Sequence, residues 1–581
     1  MKRPSLLLAL LALLVAAPSA HAAKRTDPFG VTVVRFAKGT TASQMRAVVS
    51  AAGGDVVTDL SPINALAVAP ASADFTSRVR GNARVTAVFR DRVFSNPAGL
   101  DVSTSADAVP GALPTGADSF PDPWHDASSF WGVSNPEGVL QWDDARMNVP
   151  AAWRTTLGSR SVRVAVLDSG VQGSHKELLP NYDNQSSENL IPCNTLVRDY
   201  GAATVKDFGL RDCSSEDTDG HGTWVASRIA GAVNGFASNG VAPRVQVAGF
   251  KVLSTGFGGL TSWIVAGMLD ACSAGFDVVN MSITGYLDPS VPEDVDDYLL
   301  WTDAAQYCRD HGAAVFAAAG NEHMRVDRVE MTLGGRVLSG VGRVSAGSDG
   351  IATVPPGSSS IAAADLRGWL EAPAGVPGVT MVSATGNAIG AAPASVPLRW
   401  TAHVGARDQL AYYSNFGSRV DLAAPGGARR YNIPSYDGGE GDILYGGWGS
   451  LGALDPSGET CTDSFLGSPF TFACFKVSGA GFGWLQGTSM SSPNVAGVAA
   501  LTLSAHPDLA GHPEALVSRL VATTRKDMTN YVGPNDPANV ASSLDGRPCA
   551  TGYCHVDQTH PIGFSDAYGA GIVDAAASVG P

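Results

Sequence analysis

Three side chains of this sequence could together carry out nucleophilic catalysis. Asp168 ends a β-rich run and precedes Ser-Gly, His221 stands between two glycines, and Ser489 precedes a helix-like run. Such chemistry needs a hydroxyl nucleophile, an imidazole that takes its proton and a carboxylate that orients the imidazole. Each residue alone has an ordinary structural explanation, because most such aspartates cap a turn and most lone histidines are structural. As an ordered set they predict a catalytic triad.

A fourth group, the side-chain amide of Asn321, fits the same chemistry. It follows the apolar run 314–319 and Gly320, and so comes directly after a predicted buried strand. Ser489 is expected at the N-terminus of a helix, with Pro493 in the first helical turn, where its missing N–H is tolerated. Backbone N–H groups and the helix dipole stabilise a developing anion there. Asn321 and the Ser489 N–H are therefore predicted to donate to an oxyanion.

Buried strands and helices alternate in the region that carries these residues. Near-continuous apolar runs, typical of strands buried on both faces, occur at Val162–Leu167, Val245–Val252, Val278–Ile283 and Ala314–Ala318. Helical spacing occurs between them, at Ser262–Ser273 and Leu299–Asp310. This alternation predicts a mostly parallel α/β sheet flanked by helices. Active sites of such sheets lie at the carboxyl ends of strands, where Asp168 and Asn321 are expected.

Composition and charge exclude several classes of protein. Of 581 residues, 44% are hydrophobic and 16% are charged, which provides a large core and excludes wholesale disorder. The 67 glycines and 35 prolines follow no triplet period, so the chain is not collagen-like. The formal net charge is −15, the opposite sign from that of a general nucleic-acid binder. No nucleic-acid partner is therefore expected.

Residues 1–22 have the pattern of a secretory signal peptide. Lys2 and Arg3 are followed by an apolar stretch over 6–17 and by Ala20-His21-Ala22, so cleavage is expected near Ala22. A membrane anchor is the alternative, but the stretch is short for a span and ends in an A-x-A site. Every later apolar run is broken by Gly, Pro or charge. The sequence predicts a secreted or periplasmic protein without a membrane partner.

Export changes the interpretation of the eight cysteines. An even number in an oxidising compartment predicts disulfides, although eight cysteines allow 105 pairings. They fall into four close neighbour pairs, which are Cys193 and Cys213, Cys272 and Cys308, Cys461 and Cys474, and Cys549 and Cys554. Cys272 and Cys308 each lie in a helix-like stretch just before a buried-strand pattern, so neighbouring helices could bring them together. A zinc site is the alternative, but there is no C-x-x-C pair.

Pattern and charge divide the chain into unlike parts. Residues 23–98 read as a small α+β module with several β-rich runs and a helix that begins at Thr41-x-x-Gln. The module has ten basic and five acidic residues, whereas residues 99–581 have 27 basic and 49 acidic residues. These opposite balances would favour association, or they reflect different solubility requirements. Residues 99–130, rich in Pro, Gly, Ala, Ser and Asp, are predicted to be a linker before one large domain over 131–581.

The motifs resemble those of the subtilisin-like serine proteases, or subtilases. The matching segments are VAVLDSG at Asp168, DGHGTxVA at His221, AAGN at Asn321 and GTSMSSP at Ser489, and the segments VVNMS, DLAAPG and YGAGIVDA match as well. The resemblance covers about residues 139–581. It implies a subtilisin-like catalytic domain. Asp168, His221 and Ser489 would form its triad, and Asn321 would line the oxyanion hole. The implied activity is that of a serine endopeptidase that cleaves polypeptides through an acyl-enzyme.

The resemblance also implies how the chain matures and binds its substrate. Residues 23–98 are similar to the family's inhibitory propeptide, a ferredoxin-like α+β domain, and the maturation cut would fall in the linker over 99–130. The last strand of the propeptide, ending near Phe94, would lead into the active-site cleft and make it an intramolecular inhibitor. Family substrates pair with the enzyme as an added strand, and the matching edges here are Gly256–Gly259 and Ser282–Gly285. The implied substrate-binding residues are Gly256, Gly258, Gly259, Ser282, Ile283, Thr284, Gly285, Ala318 and Gly320.

Three features depart from the family pattern. Thr284 stands where Gly is usual, which predicts a narrower or partly polar primary pocket and a weaker preference for large aromatic side chains. Trp224 replaces a common second His at a position that is usually structural, so activity is not put in doubt. Two stretches near 325–371 and 428–482 are extra, and the first is expected to be β-structured. It could form a wall of the primary or primed pocket, although plain surface elaboration is the preferred interpretation.

The chemistry requires no cofactor. Calcium is common in the family, so structural calcium is predicted with its ligands unassigned. The segment Asp217-Thr-Asp219-Gly lacks the calcium-loop pattern and its distal Glu, and is interpreted as a turn that positions His221. An inactive binding protein with a protease fold is one alternative, opposed by the complete triad. A narrow processing peptidase is another, which the residues hardly separate from a degradative enzyme. The mature enzyme is expected to be a monomer.

Overall fold

The computed structural model describes the polypeptide from residue 30 to 94 and, with gaps, from 141 to 581. The described residues are 30–94, 141–193, 213–217, 219–234, 238–254, 258–345, 351–352, 364–387, 408–411, 413–428, 449–454, 474–477, 480–528 and 562–581. The predictions of a signal peptide over 1–22 and a linker over 99–130 lie outside these residues, as do Cys461, Cys549 and Cys554. Among the described residues, no helix combines the length and the apolar character needed to cross a membrane.

The N-terminal module is an antiparallel sheet with two helices. Its elements are β1 (Thr32–Phe36), α1 (Ala42–Ala52), β2 (Gly54–Leu60), a 3₁₀ turn (Ser61–Ile63), β3 (Ala65–Pro70), α2 (Phe75–Arg80), β4 (Val85–Arg90) and β5 (Val93–Phe94). The first four strands pair antiparallel in the order β2-β3-β1-β4. The chain order β-α-β-β-α-β is that of ferredoxin-like domains.

Local signals explain where helix α1 begins and ends. The hydroxyl of Thr41 accepts a hydrogen bond from the N–H of Gln44, whose side chain accepts the Thr41 N–H in return, which is a capping box. Gly53 follows the helix with a φ of 85°, a left-handed conformation that glycine adopts without steric penalty. Met45 and Val49, one turn apart, are buried against the sheet. The amphipathic spacing of α1 therefore closes the core of the module.

The larger part of the chain begins after residue 140. Its strands are β6 (Arg163–Asp168), β7 (Glu188–Asn189), β8 (Gln246–Lys251), β9 (Gly259–Leu260), β10 (Val278–Met281), β11 (Gly285–Leu287), β12 (Ala314–Ala318), β13 (Val326–Leu333), β14 (Arg336–Val344), β15 (Ile351–Ala352), β16 (Ala364–Asp365), β17 (Leu370–Ala372), β18 (Val379–Thr385), β19 (Leu422–Pro425), β20 (Ser450–Leu454), β21 (Cys474–Val477) and β22 (Ala480–Leu485). Its helices are α3 (Trp142–Arg146), α4 (Val149–Ala152), α5 (His221–Ala230), α6 (Thr261–Ser273), α7 (Pro292–Asp310), α8 (Thr488–Ala505), α9 (Pro513–Ala522), α10 (Phe564–Tyr568) and α11 (Ala575–Val579), with a 3₁₀ turn at Pro507–Leu509.

A parallel sheet of seven strands carries the functional residues. The strand order is β19-β18-β12-β10-β6-β8-β7, and every pairing in it is parallel. All residues of β10 and β12 are buried, because the sheet is covered on both faces. Helix α8 is buried from its first residue to Leu503, as its apolar composition on every face requires. The predicted α/β class and the predicted buried strands are confirmed.

Smaller sheets surround this core. The order β11-β17-β14-β13 forms a four-stranded sheet, and β20-β22-β21 forms a three-stranded one. Strands β13 and β14 lie within the first extra stretch, 325–371, which is therefore β-structured in its described part. Strands β20 and β21 lie within the second, 428–482. The two insertions add sheets beside the parallel one rather than lengthening it.

Two helix boundaries differ from their predictions. Helix α7 begins at Pro292 instead of Leu299, because Pro and two acidic residues form its first turn, a signal that apolar spacing does not detect. Helix α5 begins at His221 itself, so this histidine belongs to the helix rather than to the turn before it.

Two of the four close cysteine pairs are disulfides in the described residues. Cys272 of α6 is bonded to Cys308 of α7, which confirms that neighbouring helices bring these residues together. Cys193 is bonded to Cys213. Disulfides of this kind persist in oxidising compartments.

Candidate active site

Asp168 and His221 form a buried pair at the carboxyl end of the parallel sheet. Asp168 is the last residue of β6, and His221 is the first residue of α5. The Nδ1 atom of His221 lies 2.8 Å from Oδ1 of Asp168. Asp168 is fully buried and His221 is 3% exposed. The carboxylate therefore holds the imidazole with Nδ1 toward itself and Nε2 away, which a triad requires.

Glycines allow helix α5 to approach strand β6 this closely. A Cβ atom on Gly222 would lie 2.1 Å from the carbonyl oxygen of Gly170 and 3.1 Å from the Cβ of Asp168. Gly220 has a φ of 102°, in the left-handed region that favours glycine. The glycine on each side of His221 is thus required by the backbone geometry.

The carboxylate of Asp217 organises the start of α5. Its Oδ1 accepts hydrogen bonds from the N–H groups of Asp219 and Gly220, both at 2.9 Å. Its Oδ2 accepts the N–H of Thr223 at 2.8 Å and the hydroxyl of the same residue at 2.5 Å. These bonds satisfy donors that a helix N-terminus leaves without an intrahelical partner. The segment is a capping turn that positions His221, which agrees with its interpretation from the sequence.

Burial and acidic neighbours act in opposite directions on the pKa of His221. Burial lowers this pKa, the charge and hydrogen bond of Asp168 raise it, and Asp219 and Asp217 raise it further, so that it lies above the ordinary value. Burial, with the charge of Asp217, also raises the pKa of Asp219 to about 6. The protonated imidazole is therefore stabilised by its surroundings. A general base in nucleophilic catalysis needs this property when it receives the proton.

Pro493 lies in a different position from the one predicted. Helix α8 begins at Thr488, so Pro493 is in its second turn and not in its first. A proline there has no N–H to bond the carbonyl oxygen of Ser489, four residues earlier. That oxygen accepts a 2.8 Å hydrogen bond from the hydroxyl of Ser282, which follows β10. The proline thus leaves the Ser489 carbonyl available to the predicted substrate-binding segment.

Ser489 is the second residue of α8 and is 3% exposed. Its Oγ atom lies 3.5 Å from the carbonyl oxygen of Ser282. Among the described residues, no hydrogen bond joins this hydroxyl to His221, whose imidazole contacts Asp168. Catalytic hydrogen bonds are often long without substrate and tighten when substrate binds. The structure therefore joins Asp168 to His221 directly and places Ser489 at the start of a helix that packs against α5.

The side chain of Asn321 is held so that its amide nitrogen is available. Its Oδ1 accepts two hydrogen bonds from Thr488, one from the N–H at 2.9 Å and one from the hydroxyl at 2.7 Å. The same hydroxyl accepts the N–H of Gly320 at 3.1 Å. A Cβ atom built on Gly487 would lie 3.5 Å from Nδ2 of Asn321. Because Oδ1 is occupied, Nδ2 is the atom directed toward the turn before Ser489, where an oxyanion would form.

One of the two predicted substrate-binding edges is paired with the N-terminal module. Strand β5 pairs antiparallel with β9, and Phe94 lies opposite Gly259. Gly258 exchanges backbone hydrogen bonds with Ser254, whereas Gly256 lies outside the described residues. The module's last strand thus occupies the edge where the resemblance places a substrate strand.

The second predicted edge, Ser282–Gly285, neighbours Ala318 and Gly320. Strands β10 and β12 pair in parallel, so both segments leave the sheet at its carboxyl edge. Ser282, Ile283, Thr284, Ala318 and Gly320 are buried, whereas Gly285 is partly exposed. A Cβ atom on Gly285 would lie 2.5 Å from the ring of Phe94. The module therefore contacts both edges of the predicted cleft.

The hydroxyl of Thr284 is bound by a residue of the first insertion. It donates a 3.0 Å hydrogen bond to Oε1 of Glu371 in β17, and both side chains are buried. Burial raises the pKa of Glu371 to about 8. Strand β17 pairs with β11, which continues the chain directly from Thr284. The insertion thus reaches the predicted primary pocket, in addition to forming a surface sheet.

Trp224 packs against the second insertion. Its indole N–H donates a 3.0 Å hydrogen bond to the carbonyl oxygen of Gly483 in β22. A Cβ atom on Gly452 of β20 would lie 2.7 Å from the indole ring. The indole fills the space between α5 and the sheet β20-β22-β21. Both contacts are structural. Among the described residues, no hydrogen bond joins Trp224 to Asp168 or His221.

Several residues that hold the site were missed in the sequence. Thr488 orients Asn321, Asn415 binds the turn that carries Asn321, and Glu371 binds Thr284. A signal existed for Thr488, which directly precedes the predicted nucleophile. No local signal existed for Asn415 or Glu371, because their partners lie 96 and 87 residues away in the chain.

The described residues contain no group of three or more His, Cys, Asp or Glu side chains that could hold a metal ion. The calcium prediction therefore gains no assigned ligands.

Comparison with known proteins decides the family. The family model described as the subtilase family, Peptidase_S8, matches residues 159–571. The chain belongs to the subtilase family. Subtilisin NAT of Bacillus subtilis subsp. natto is a relative that is 25% identical over 377 residues, which are 65% of this chain and 63% of that protein. The chain thus spans less than two thirds of the length of this relative. An intracellular serine protease of Paenibacillus polymyxa is 31% identical over 185 residues, 32% of this chain and 48% of that protein.

Solved structures share the subtilase fold. The epidermin leader peptide processing serine protease of Staphylococcus aureus aligns with a TM-score of 0.55 and 16% identity, over 94% of this chain and 97% of that one. Fervidolysin of Fervidobacterium pennivorans, a keratinolytic enzyme related to subtilisin, aligns with a TM-score of 0.52 and 18% identity, over 95% of this chain and 61% of that one. At these identities the likeness concerns the fold of this subtilase.

Proposed function

We propose that this subtilase is a serine endopeptidase that hydrolyses polypeptides through an acyl-enzyme and is made as a preproprotein. The observation that carries the proposal is the 2.8 Å contact between Nδ1 of His221 and Oδ1 of Asp168, both buried. A buried carboxylate and imidazole are expensive to remove from water unless they bind each other in a defined role. The orientation of Asn321 by Thr488 supports the same chemistry.

The steps follow from the positions of the four groups. His221 Nε2 takes the proton of the Ser489 hydroxyl while Oγ attacks the carbonyl carbon of the scissile peptide bond. The oxygen that becomes negative receives hydrogen bonds from Asn321 Nδ2 and the Ser489 N–H. When the C–N bond breaks, His221 gives its proton to the leaving amine. Water then attacks the acyl-enzyme, with the imidazole again as the base, and releases the carboxyl product and free Ser489.

Substrate is proposed to bind as a strand between the edges 256–259 and 282–285. The antiparallel pairing of β5 with β9 supports this mode, since it places one extended segment on the first edge. The hydrogen bond between Thr284 and Glu371 supports a primary pocket that is narrower and more polar than one with Gly at this position. Small and polar substrate side chains are therefore expected there.

The N-terminal module is proposed to be an inhibitory propeptide over 23–98 that is cut off within 99–130. Its strand β5 occupies the substrate edge, Phe94 packs on Trp301 with ring centroids 5.1 Å apart, and the N–H of Thr261 donates to the carbonyl of Arg92 at 2.8 Å. Two ion pairs, Arg35 with Asp303 and Arg92 with Asp294, also cross between the module and α7. In both pairs the arginine belongs to the module and the aspartate to α7, which agrees with the basic balance of the module and the acidic balance of the rest of the chain.

Export through a signal peptide cleaved near Ala22 is part of the proposal, and the two disulfides support an oxidising destination. Structural calcium, with ligands unassigned, and a monomeric mature enzyme are proposed with it.

A fluorophosphonate probe tests the nucleophile. Matured wild-type protein should be labelled at Ser489 and should hydrolyse a mixed peptide library, while Ser489→Ala should do neither. Ser504→Ala is the matched control, since this residue lies at the far end of the same helix and its hydroxyl binds the carbonyl of Ala500. Absence of labelling and hydrolysis in matured wild type, or labelling that persists in Ser489→Ala, would reject the enzyme proposal. The breadth of cleavage in the library separates a degradative enzyme from a processing peptidase.

Maturation is tested with the same variants. Purified wild type should convert to a shorter form whose N-terminus lies within 99–130, and Ser489→Ala should remain uncut. Conversion of Ser489→Ala at the wild-type rate in the absence of other proteases would reject autoprocessing.

A further inference from the structure

The turn that presents Asn321 is not held by regular secondary structure. It connects β12 to β13 over residues 319–325, and two of its residues have positive φ, Gly320 at 101° and His323 at 52°. A non-glycine residue in this region is uncommon and persists only where surrounding contacts over-determine it. The position of the Asn321 amide therefore depends on what binds this turn from outside.

Asn415 binds this turn at three points, on both sides of Asn321. Its N–H donates to the carbonyl of Gly320 at 3.0 Å, and its Nδ2 donates to the carbonyl of Ala319 at 2.8 Å. Its Oδ1 accepts the N–H of Met324 at 2.8 Å. One fully buried residue thus bonds the turn before and after Asn321. The flanking backbone adds two further bonds to the turn, one from His323 N–H to Tyr413 O at 2.7 Å and one from Phe416 N–H to Met324 O at 3.0 Å.

Asn415 also ties the turn to the other wall of the cleft. Its Nδ2 donates at 2.7 Å to the hydroxyl of Tyr286, which lies two residues beyond Thr284 on β11. That hydroxyl donates at 2.6 Å to Oε2 of Glu322, the residue after Asn321. A continuous hydrogen-bonded chain therefore joins β11, directly after the edge 282–285, to the turn that carries Asn321.

The turn is shaped to admit this side chain. A Cβ atom on Gly320 would lie 2.3 Å from Nδ2 of Asn415, so only glycine permits the contact. The contacts also require an amide, since the same side chain accepts at one atom and donates at the other. An aspartate would keep the bond from Met324 and place a second carboxylate beside Glu322.

We infer that Asn415 is a positioning residue for the oxyanion hole, which acts by holding the turn that carries Asn321. The inference rests on the proposed function and extends it to a residue that touches neither the substrate nor the reacting atoms. Because it acts on a donor used only after attack on the carbonyl, its removal should lower kcat with little change in KM.

The test measures kcat and KM of matured enzymes with one peptide substrate. Loss of a direct oxyanion donor lowers kcat by about 100- to 1000-fold, so Asn415→Ala is expected to lower kcat by roughly 10- to 100-fold. In an Asn321→Ala background the same change should lower kcat by less than about threefold, because the donor it positions is already absent. Tyr286→Phe should give a smaller loss of kcat that also disappears in that background.

Asn181→Ala is the matched control for loss of a buried asparagine. This side chain also donates two hydrogen bonds to backbone carbonyls, those of Ala230 at the end of α5 and Pro243, but outside the cleft. It should lower thermal stability without lowering kcat per fluorophosphonate-labelled site. If Asn415→Ala does not fold, Tyr286→Phe and Asn415→Asp provide the same comparison.

Three results would overturn the inference. One is a kcat per labelled site that is unchanged in the folded Asn415 and Tyr286 variants. Another is an equal loss with and without Asn321, which would indicate a general structural role. The third is a wild type that is neither labelled nor active, which would reject the proposed function and this inference with it. If wild type is active and the losses of the Asn415 and Asn321 variants add in the double variant, only this inference is rejected.

Discussion

The hydroxyl of Ser282 donates a 2.8 Å hydrogen bond to the carbonyl oxygen of Ser489. In a regular helix this oxygen would accept an amide hydrogen from residue 493, but that residue is Pro493 and has none. The bond therefore joins the segment after β10 to the first turn of α8. It sets the position of the predicted nucleophile relative to one wall of the cleft.

Replacing Ser282 with Ala is expected to weaken both the active site and the fold. Loss of this buried hydroxyl lowers the free energy of unfolding by about 1–2 kcal/mol, because the Ser489 carbonyl is left without its donor and the Asn280 amide without an acceptor. Because Ser489 is then held less firmly relative to this wall of the cleft, kcat/KM should fall by roughly fivefold to tenfold. Ser383→Ala is the control, since this residue lies on β18 and its buried hydroxyl donates to the carbonyl of Ala567 in α10. Equal kcat/KM in both variants would contradict the expected positioning role.

Replacing Thr284 is expected to change the primary specificity. Thr284→Gly removes the side chain and its bond to Glu371, so kcat/KM for substrates with Phe should rise relative to those with Ala, by about tenfold for the volume gained. Thr284→Ser keeps the hydroxyl and removes only the methyl group, and should lie between the two. A peptide library with one varied position measures these ratios. Profiles that do not differ among the three enzymes would show that Thr284 does not border the pocket.

The activity should depend on pH through His221. The pKa of His221 is raised, mainly by Asp168 against the lowering effect of burial, and only the neutral imidazole accepts the serine proton. Activity is therefore present above this pKa and lost as the pH falls through it, at a pH above the ordinary histidine value of about 6.5. Asp219→Asn removes one charge that raises this pKa, so the acid limb of the profile of kcat/KM should move to lower pH.

Asp168→Asn is expected to leave the fold intact and to lower kcat by about 10⁴-fold, since the imidazole loses its orienting carboxylate. A wild-type kcat in this variant would contradict the assignment of the triad.

For the pH prediction, an acid limb that moves to higher pH in Asp219→Asn would contradict the expected effect of the Asp219 charge on the pKa of His221.

Release of the N-terminal module should become easier as the pH rises. Asp297 of α7 is fully buried beneath the module, where Oδ2 accepts from the Thr261 hydroxyl, and its neighbours are Asp91, Arg92 and Asp294. Burial first, and then the charge of Asp91, raise the pKa of Asp297 well above its usual range. While the module is bound, burial favours the protonated form of this carboxyl, so the stability of the contact is present at low pH. It is lost as the pH rises through the raised pKa, because the carboxylate must then be kept out of water.

The measurement is the rate at which activity appears from the full-length chain at a series of pH values. Divided by the activity of the matured enzyme at the same pH, this rate should rise with pH in wild type and rise less steeply in Asp297→Asn, which is neutral throughout. Asp310→Asn, at the exposed end of the same helix, is the control and should behave as wild type. A wild-type rate that falls with rising pH would contradict the prediction.

The sequence by itself determined the fold class and the candidate residues that the fold carries. The order of Asp168, His221 and Ser489, the buried runs of β10 and β12, and the capping box at Thr41 are patterns within a few residues. They follow from burial on two faces, from backbone freedom at glycine and from donors left free at helix ends, all of which are local. For this reason the α/β class and the candidate residues could be predicted without coordinates.

Only the tertiary structure decided how these residues are held. The bonds of Thr488 to Asn321, Asn415 to Ala319, Glu371 to Thr284 and Ser282 to Ser489 join residues that lie 87 to 207 positions apart. Such contacts depend on how strands and helices pack, and many arrangements of the same elements satisfy the local patterns equally well. The position of Pro493 in the second turn of α8 also depended on the tertiary structure. The start of α8 is set by the turn at Gly487 and by the burial of the helix against the sheet, and not by the proline.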